Sequence, residues 1–176
     1  MSKMYPNEVI ALCSTDYPVL AVQVMRDVLS DGLKKRWGDA WERNLQNWIR
    51  SVVDGKEGHV SGMAKNTVTV YYKRHENDIR PGNMDVTACW AVICGLGCPA
   101  QGSKAWELLD SLRKLRNIAA HNNNFENYEQ VLQSCGDLWE KSCKVFREAL
   151  EILPLKEATQ TRLKTYLNGT LIHNSW

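Results

Sequence analysis

The sequence has little charge imbalance, no long apolar run, no internal repeat and no low-complexity tract. Lys and Arg number 22 against 20 Asp and Glu, a net charge of +2. No global positive field therefore gathers nucleic acid, and any such contact must come from local clusters. No uninterrupted apolar stretch reaches the ~18 residues of a membrane span, so no membrane partner is expected. The opening Met1-Ser2-Lys3-Met4-Tyr5-Pro6 lacks the apolar core of a signal peptide. The expected location is the cytoplasm, or the nucleus. The six cysteines are then expected to be reduced and mostly buried, and the sequon Asn168-Gly169-Thr170 silent. Cys94 and Cys98 form a C-x3-C pair with Cys89 nearby, but zinc needs four ligands and no second pair completes the set. Cys135 and Cys143 lie eight residues apart, roughly 12 Å along a helix, too far to bond to each other. Gly95-x-Gly97 follows no strand and lacks a third glycine, which excludes a dinucleotide loop. Neither metal nor any other cofactor is expected.

What is present is an ordinary globular composition, 44% hydrophobic and 24% charged. At 176 residues the chain fits one domain, 1–176, able to bury roughly two-thirds of its unfolded surface. Asp16 and Pro18 suit a helix start, after which Val19, Leu20, Val22, Val24, Met25, Val28, Leu29 and Leu33 recur at helical spacing. Beyond Gly38, residues Trp41, Leu45, Trp48, Ile49 and Val52 mark one face of a second helix. Asp85 caps a third, stopped at Gly95-Leu96-Gly97-Cys98-Pro99, and Ser103 a fourth that runs to about 121. Two more follow, at about 126–152 and 156–167, separated by Pro154. The stretch 55–85 differs. Glycines, Pro81 and charges punctuate it around Thr67-Val68-Thr69-Val70-Tyr71-Tyr72, so it is expected to be a long loop or short β-hairpin insertion. The expected fold class is all-α, a helical bundle of about five main helices around that insertion.

Several clusters have plain structural explanations. Trp37, Trp41 and Trp48 fall at helical steps and suit core or interface. Lys34-Lys35-Arg36 reads as a solvated helix end. His59, His75 and His173 each stand alone. The segment Leu112-Arg113-Lys114-Leu115-Arg116-Asn117-Ile118-Ala119-Ala120-His121-Asn122 is different. Asn117 and His121 are four apart and share a helix face. Arg116 points about 100° around, with a stem long enough to return its guanidinium to that face. A histidine hydrogen-bonded at a helix terminus is the plain alternative, favourable there when charged.

Arg116-Asn117-x3-His121 late in a helix, with an L-x-x-L-R-x-x-R pattern leading into it, resembles the HEPN superfamily (higher eukaryotes and prokaryotes nucleotide-binding). Met84-Asp85-Val86-Thr87, which opens the preceding helix, is similar to animal-type HEPN modules, the DAZ-interacting zinc-finger-protein-like kind found in large multidomain proteins. The resemblance spans about 18–150. It implies a metal-independent endoribonuclease acting on single-stranded RNA, as a homodimer joined through the 116–121 helix. Arg116, Asn117 and His121 would be catalytic; Arg113, Lys114 and Asn122 would touch the RNA backbone. The side chains suit that chemistry. Histidine serves as base or acid near neutral pH, and arginine stabilises charge building on phosphate. A single histidine per chain supplies two only in a dimer. The alternative is a non-catalytic HEPN module that binds protein or RNA within a larger protein.

Overall fold

The helical run Asn7–Val53 opens the structure, a computed structural model that describes residues 6–120 and 128–170. Between α1 (Pro6–Ala11) and α2 (Tyr17–Trp37) the helix widens into a π-helical stretch, Leu12–Asp16. The helix start expected at Asp16 is thus an interior position, and Asp16 is buried. Pro18 has no N–H to donate, and its ring presses on the carbonyl four residues back in a regular helix; a wider turn relieves both. The extra residue also shifts the apolar stripe along the helix. By length and composition a window of this run is apolar enough to cross a membrane, although no uninterrupted apolar stretch is. Its side chains Leu12, Tyr17, Leu20, Ala21, Val24 and Met25 are fully buried within the protein.

The remaining helices are α3 (Trp41–Val53), α4 (Gly62–His75), α5 (Val86–Leu96), α6 (Lys104–Ala120), α7 (Tyr128–Ile152) and α8 (Glu157–Leu167). The fold is all-α, a helical bundle, with no strand among the described residues. The caps expected at Asp85 and Ser103 and the stop expected after Gly95-Leu96 are present. Gly97 takes the left-handed conformation, φ 62°, after α5. The Asp85 side chain accepts the Ala88 N–H at 2.7 Å, and Ser103 accepts that of Trp106 at 3.2 Å.

The 55–85 stretch is a correction. It is neither a long loop nor a hairpin but carries α4. Thr, Val and Tyr favour strands by local preference, yet Ala64, Val68 and Tyr71 recur at steps of four and three, and all three are buried. Burial of that face outweighs β-propensity. Ser61 caps the start, and the Thr67 and Thr69 hydroxyls donate to carbonyls four residues earlier. The Tyr71 hydroxyl then organises the turn that follows: it donates to the Asn83 side chain and accepts the Arg80 N–H.

The contacts gather into two compact units, Met25–Trp106 on one hand, Met1–Val24 with Glu107–Trp176 on the other. In the first, α3 and α5 both pack on α4. Leu45, Trp48, Ile49 and Val52 give α3 its buried face. Gly95 sits where Trp48 packs: a Cβ there would stand 2.7 Å from Trp48 Cη2. That glycine serves close packing. In the second unit α7 packs on α1 and α8. Its aromatic centre joins Tyr17, Phe146 and Tyr166, with Phe146 5.3 Å from Tyr17 and edge-on to Tyr166 at 5.1 Å. The Tyr17 hydroxyl donates to the Leu112 carbonyl at 2.8 Å, which ties the start of α2 to the middle of α6.

Candidate functional site

α6 is held by its apolar stripe. Leu108, Leu109, Leu112 and Leu115 are buried, leaving the opposite face to Asp110, Arg113, Lys114 and Asn117. That polar stripe follows from spacing, since positions three and four apart stack along a helix. Asp110 is the hub of its first turn. Arg113 Nη2 lies 2.7 Å and Lys114 Nζ 2.9 Å from its carboxylate. Partial burial alone would raise the Asp110 pKa, but hydrogen bonds from Lys114 and Arg113 prevail and hold it below the ordinary carboxylate value. A lowered folded-state pKa stabilises the protein above the ordinary carboxylate range, and that contribution is lost as pH falls through the folded value. Asp110→Asn is accordingly expected to cost about 0.3–1 kcal/mol at neutral pH and nearly nothing once the wild-type carboxylate is protonated. Urea titrations of both proteins from pH 7 downward measure this.

One turn further on, the pairing stops. Arg116 and Asn117 are both half-buried, and neither side chain has a hydrogen-bond or ion-pair partner among the described residues. His121 and Asn122, the other two site residues expected from the sequence, lie outside the described residues. Arg113 and Lys114, expected to touch RNA, are already committed to Asp110.

Beside this stripe lies a groove of about 350 Å³ between α6 and α7 that the sequence did not disclose. It is lined by the apolar Leu108, Leu115 and Val145 and by Ser111, Lys114, Lys141, Lys144 and Glu148. Lys141 and Lys144 are exposed and have no partner among the described residues. Their three-residue spacing on a helix is the one signal that could have paired them from sequence. Ile118 is an exposed aliphatic residue one turn beyond Leu115 and Lys114. This end of α6 therefore combines an uncommitted arginine, an amide, a basic groove and one exposed apolar side chain.

The buried cysteines offer no competing nucleophile. Burial, with Cys135 and Cys143 adding to it, pushes the Cys13 thiol far up. Burial also takes Cys143 to about 11 and Cys89 to about 12. Thiols so placed stay protonated at neutral pH, and the thiolate is the reactive form. Cys13 instead donates to the Cys135 carbonyl at 3.1 Å. Cys94 is exposed and Cys98 half-buried, so four of the six are in the core.

No family model, curated protein or solved structure matches the chain.

Proposed function

We propose that the end of α6 is one half of a ribonuclease site, completed by a second copy of the chain and working without a metal on single-stranded RNA. The supporting observation is the contrast along α6. Arg113 is spent on Asp110, whereas Arg116 and Asn117, a turn later, are half-buried and uncommitted among the described residues. They stand five and four positions before His121.

The chemistry assigns a role to each group. His121 of one copy takes the proton of the 2′-hydroxyl as that oxygen bonds to phosphorus. The bond from phosphorus to the 5′ oxygen breaks, and His121 of the other copy gives that oxygen a proton. The products are a 2′,3′-cyclic phosphate and a free 5′-hydroxyl. Arg116 forks onto the non-bridging oxygens, where negative charge builds. Asn117, four residues before His121, orients the imidazole or the phosphate. DNA, lacking the 2′-hydroxyl, is left intact.

The test is incubation of the purified chain with single-stranded RNA in excess chelator, with cyclic-phosphate ends and solution mass measured together. Full-rate cleavage by His121→Ala, or cleavage by a strictly monomeric protein, sinks the proposal. A binding-only module is the second reading. It is favoured by one observation, the pairing of Arg113 and Lys114 with Asp110, which cancels one of their two positive charges in a chain of net charge +2. Phosphate contacts dominate affinity for RNA, so that pairing weakens it. An RNA-inactive wild type would leave this reading standing.

A further inference from the structure

Between α6 and α7 the packing of the bundle is open. Among the described residues these two helices approach each other less closely than α7 approaches α1 or α8. The gap is the groove of about 350 Å³, lined from Leu108 to Leu115 on one side and from Lys141 to Glu148 on the other. Both sides belong to the same compact unit. Leu108, Leu115 and Val145 give the groove aliphatic surface, and no aromatic side chain is among its lining residues. Ile118, 49% exposed, stands three positions after Leu115 and four after Lys114, so it extends the same side of α6. From Leu108 to Ile118 the aliphatic strip is about 15 Å long, roughly three turns of helix.

The lining is uneven in charge. Lys114, Lys141 and Lys144 bring three ammonium groups against the single carboxylate of Glu148. Asp110, which does not line the groove, takes up Lys114 at 2.9 Å. Three cations less these two carboxylates leave one positive charge in excess. It resides with Lys141 and Lys144, which are exposed, unpaired among the described residues and three positions apart on one side of α7. The cavity of about 490 Å³ between α4 and α5 differs: its lining holds one guanidinium, Arg74, and one carboxylate, Asp85, and so favours neither sign.

We propose that the α6–α7 groove docks an acidic amphipathic helix of another protein. The aliphatic stripe of that helix lies along Leu108, Leu115 and Val145 toward Ile118, and Asp or Glu beside the stripe pair with Lys141 and Lys144. The form follows from the strip, whose length matches aliphatic side chains recurring at steps of three and four on one helix face. The sign follows from the two unpaired lysines. A basic or neutral helix laid over them would take ammonium groups out of water without a partner. The same charges exclude a second copy seated groove to groove, because a two-fold axis would bring Lys141 and Lys144 onto their own counterparts. RNA is the poorer fit: its bases need rings to stack on, and the apolar part of the lining is aliphatic. The proposal does not rest on the ribonuclease reading, since Arg116, Asn117 and His121 take no part in it.

The experiment uses the full chain and a fluorescein-labelled pool of helix-forming peptides, with leucines fixed at steps of four and three and glutamates flanking them. One matched pool carries lysines for the glutamates, and another carries a central proline that breaks the helix. Fluorescence anisotropy is expected to show binding of the glutamate pool alone, weakened at least about tenfold when Lys141→Glu and Lys144→Glu are combined. The same double variant should gain the lysine pool, a reversal that a damaged fold does not produce. Val145→Asp should also weaken binding of the glutamate pool at least about tenfold, while Lys164→Glu on α8 should leave it unchanged. Binding should fall as salt is raised, since the lysines are open to solvent. Thermal melts confirm that each variant folds. Equal binding of the glutamate and lysine pools, equal binding of the proline pool, no binding of any pool, or an unchanged affinity in the double variant overturns the proposal. So does binding of polyuridylate in preference to the glutamate pool, or a shift between monomer and dimer in the double variant, which makes the groove a contact between copies.

Discussion

Arg116→Ala is expected to lower RNA cleavage by about a hundred- to a thousandfold, with the loss in kcat rather than KM. The magnitude is that of removing one preorganised donor from the site where charge develops in a transition state. The split follows from timing. A phosphodiester carries one negative charge in the ground state and gains another as the 2′ oxygen attacks, so a guanidinium aimed there matters most at the transition state. Arg116→Lys keeps the charge but loses the fork, and should fall between the two. Arg113→Ala makes the informative control. Its guanidinium is already spent on Asp110, so its removal is expected to change cleavage little and stability by under about 1 kcal/mol. If Arg113→Ala and Arg116→Ala lose activity equally, the distinction between committed and free arginines on α6 fails, and the site lies elsewhere. Rates should be taken at saturating RNA, with circular dichroism confirming that each variant keeps its helices.

Phe146→Ala is expected to destabilise the protein by about 3–5 kcal/mol, the range for truncating a buried phenylalanine. Phe146 is fully buried and touches Tyr17 and Tyr166 at once. Removing it leaves a cavity between two rings that also carry directional bonds. Tyr166 meets the Ser142 hydroxyl at 2.7 Å, and Tyr17 donates to the Leu112 carbonyl. Neither tyrosine can collapse into the hole without giving up a buried hydrogen bond, which places the cost toward the upper end. Natural domains have about 5–15 kcal/mol to lose, so the variant should show a much lower urea midpoint. Because Tyr17 anchors α6 at Leu112, activity should fall before the bulk of the helices melt. Phe146→Leu fills most of the space and should cost far less. A midpoint unchanged in Phe146→Ala would mean that the aromatic centre contributes little to the fold.

Helix ends and apolar faces could be read from the residues themselves. Asp85 and Ser103 cap through their side chains, and Gly97 stops its helix because it lacks one, since capping is settled within a few residues of the chain. Trp41 to Val53 likewise forms a helix on the face its spacing shows. The α4 segment departs from its local pattern for the opposite reason. Its β-branched and aromatic residues express a local preference of a fraction of a kcal/mol each, and only the burial of Ala64, Val68 and Tyr71 reverses it. The π-helical stretch leaves no sequence signal because one inserted residue breaks the helical period.

The same division runs through the candidate sites. Local order along the chain put Arg116 and Asn117 on one helix with a histidine after them, since spacing alone fixes which residues share a face. Asp110 stands three and four positions before Arg113 and Lys114 but six before Arg116, so spacing already allows the first two ion pairs and not the third, and the folded geometry shows that both form. Long-range assembly likewise brought Lys141 and Lys144 beside Lys114, and placed Asn66, Arg74 and Thr87 around one cleft. His75 looked solitary in the sequence for that reason, its pocket companions Asn83 and Thr87 being supplied by segments beyond its own helix. Short-range physics is written in the order of the residues; which uncommitted groups face one another depends on packing between segments distant in the chain.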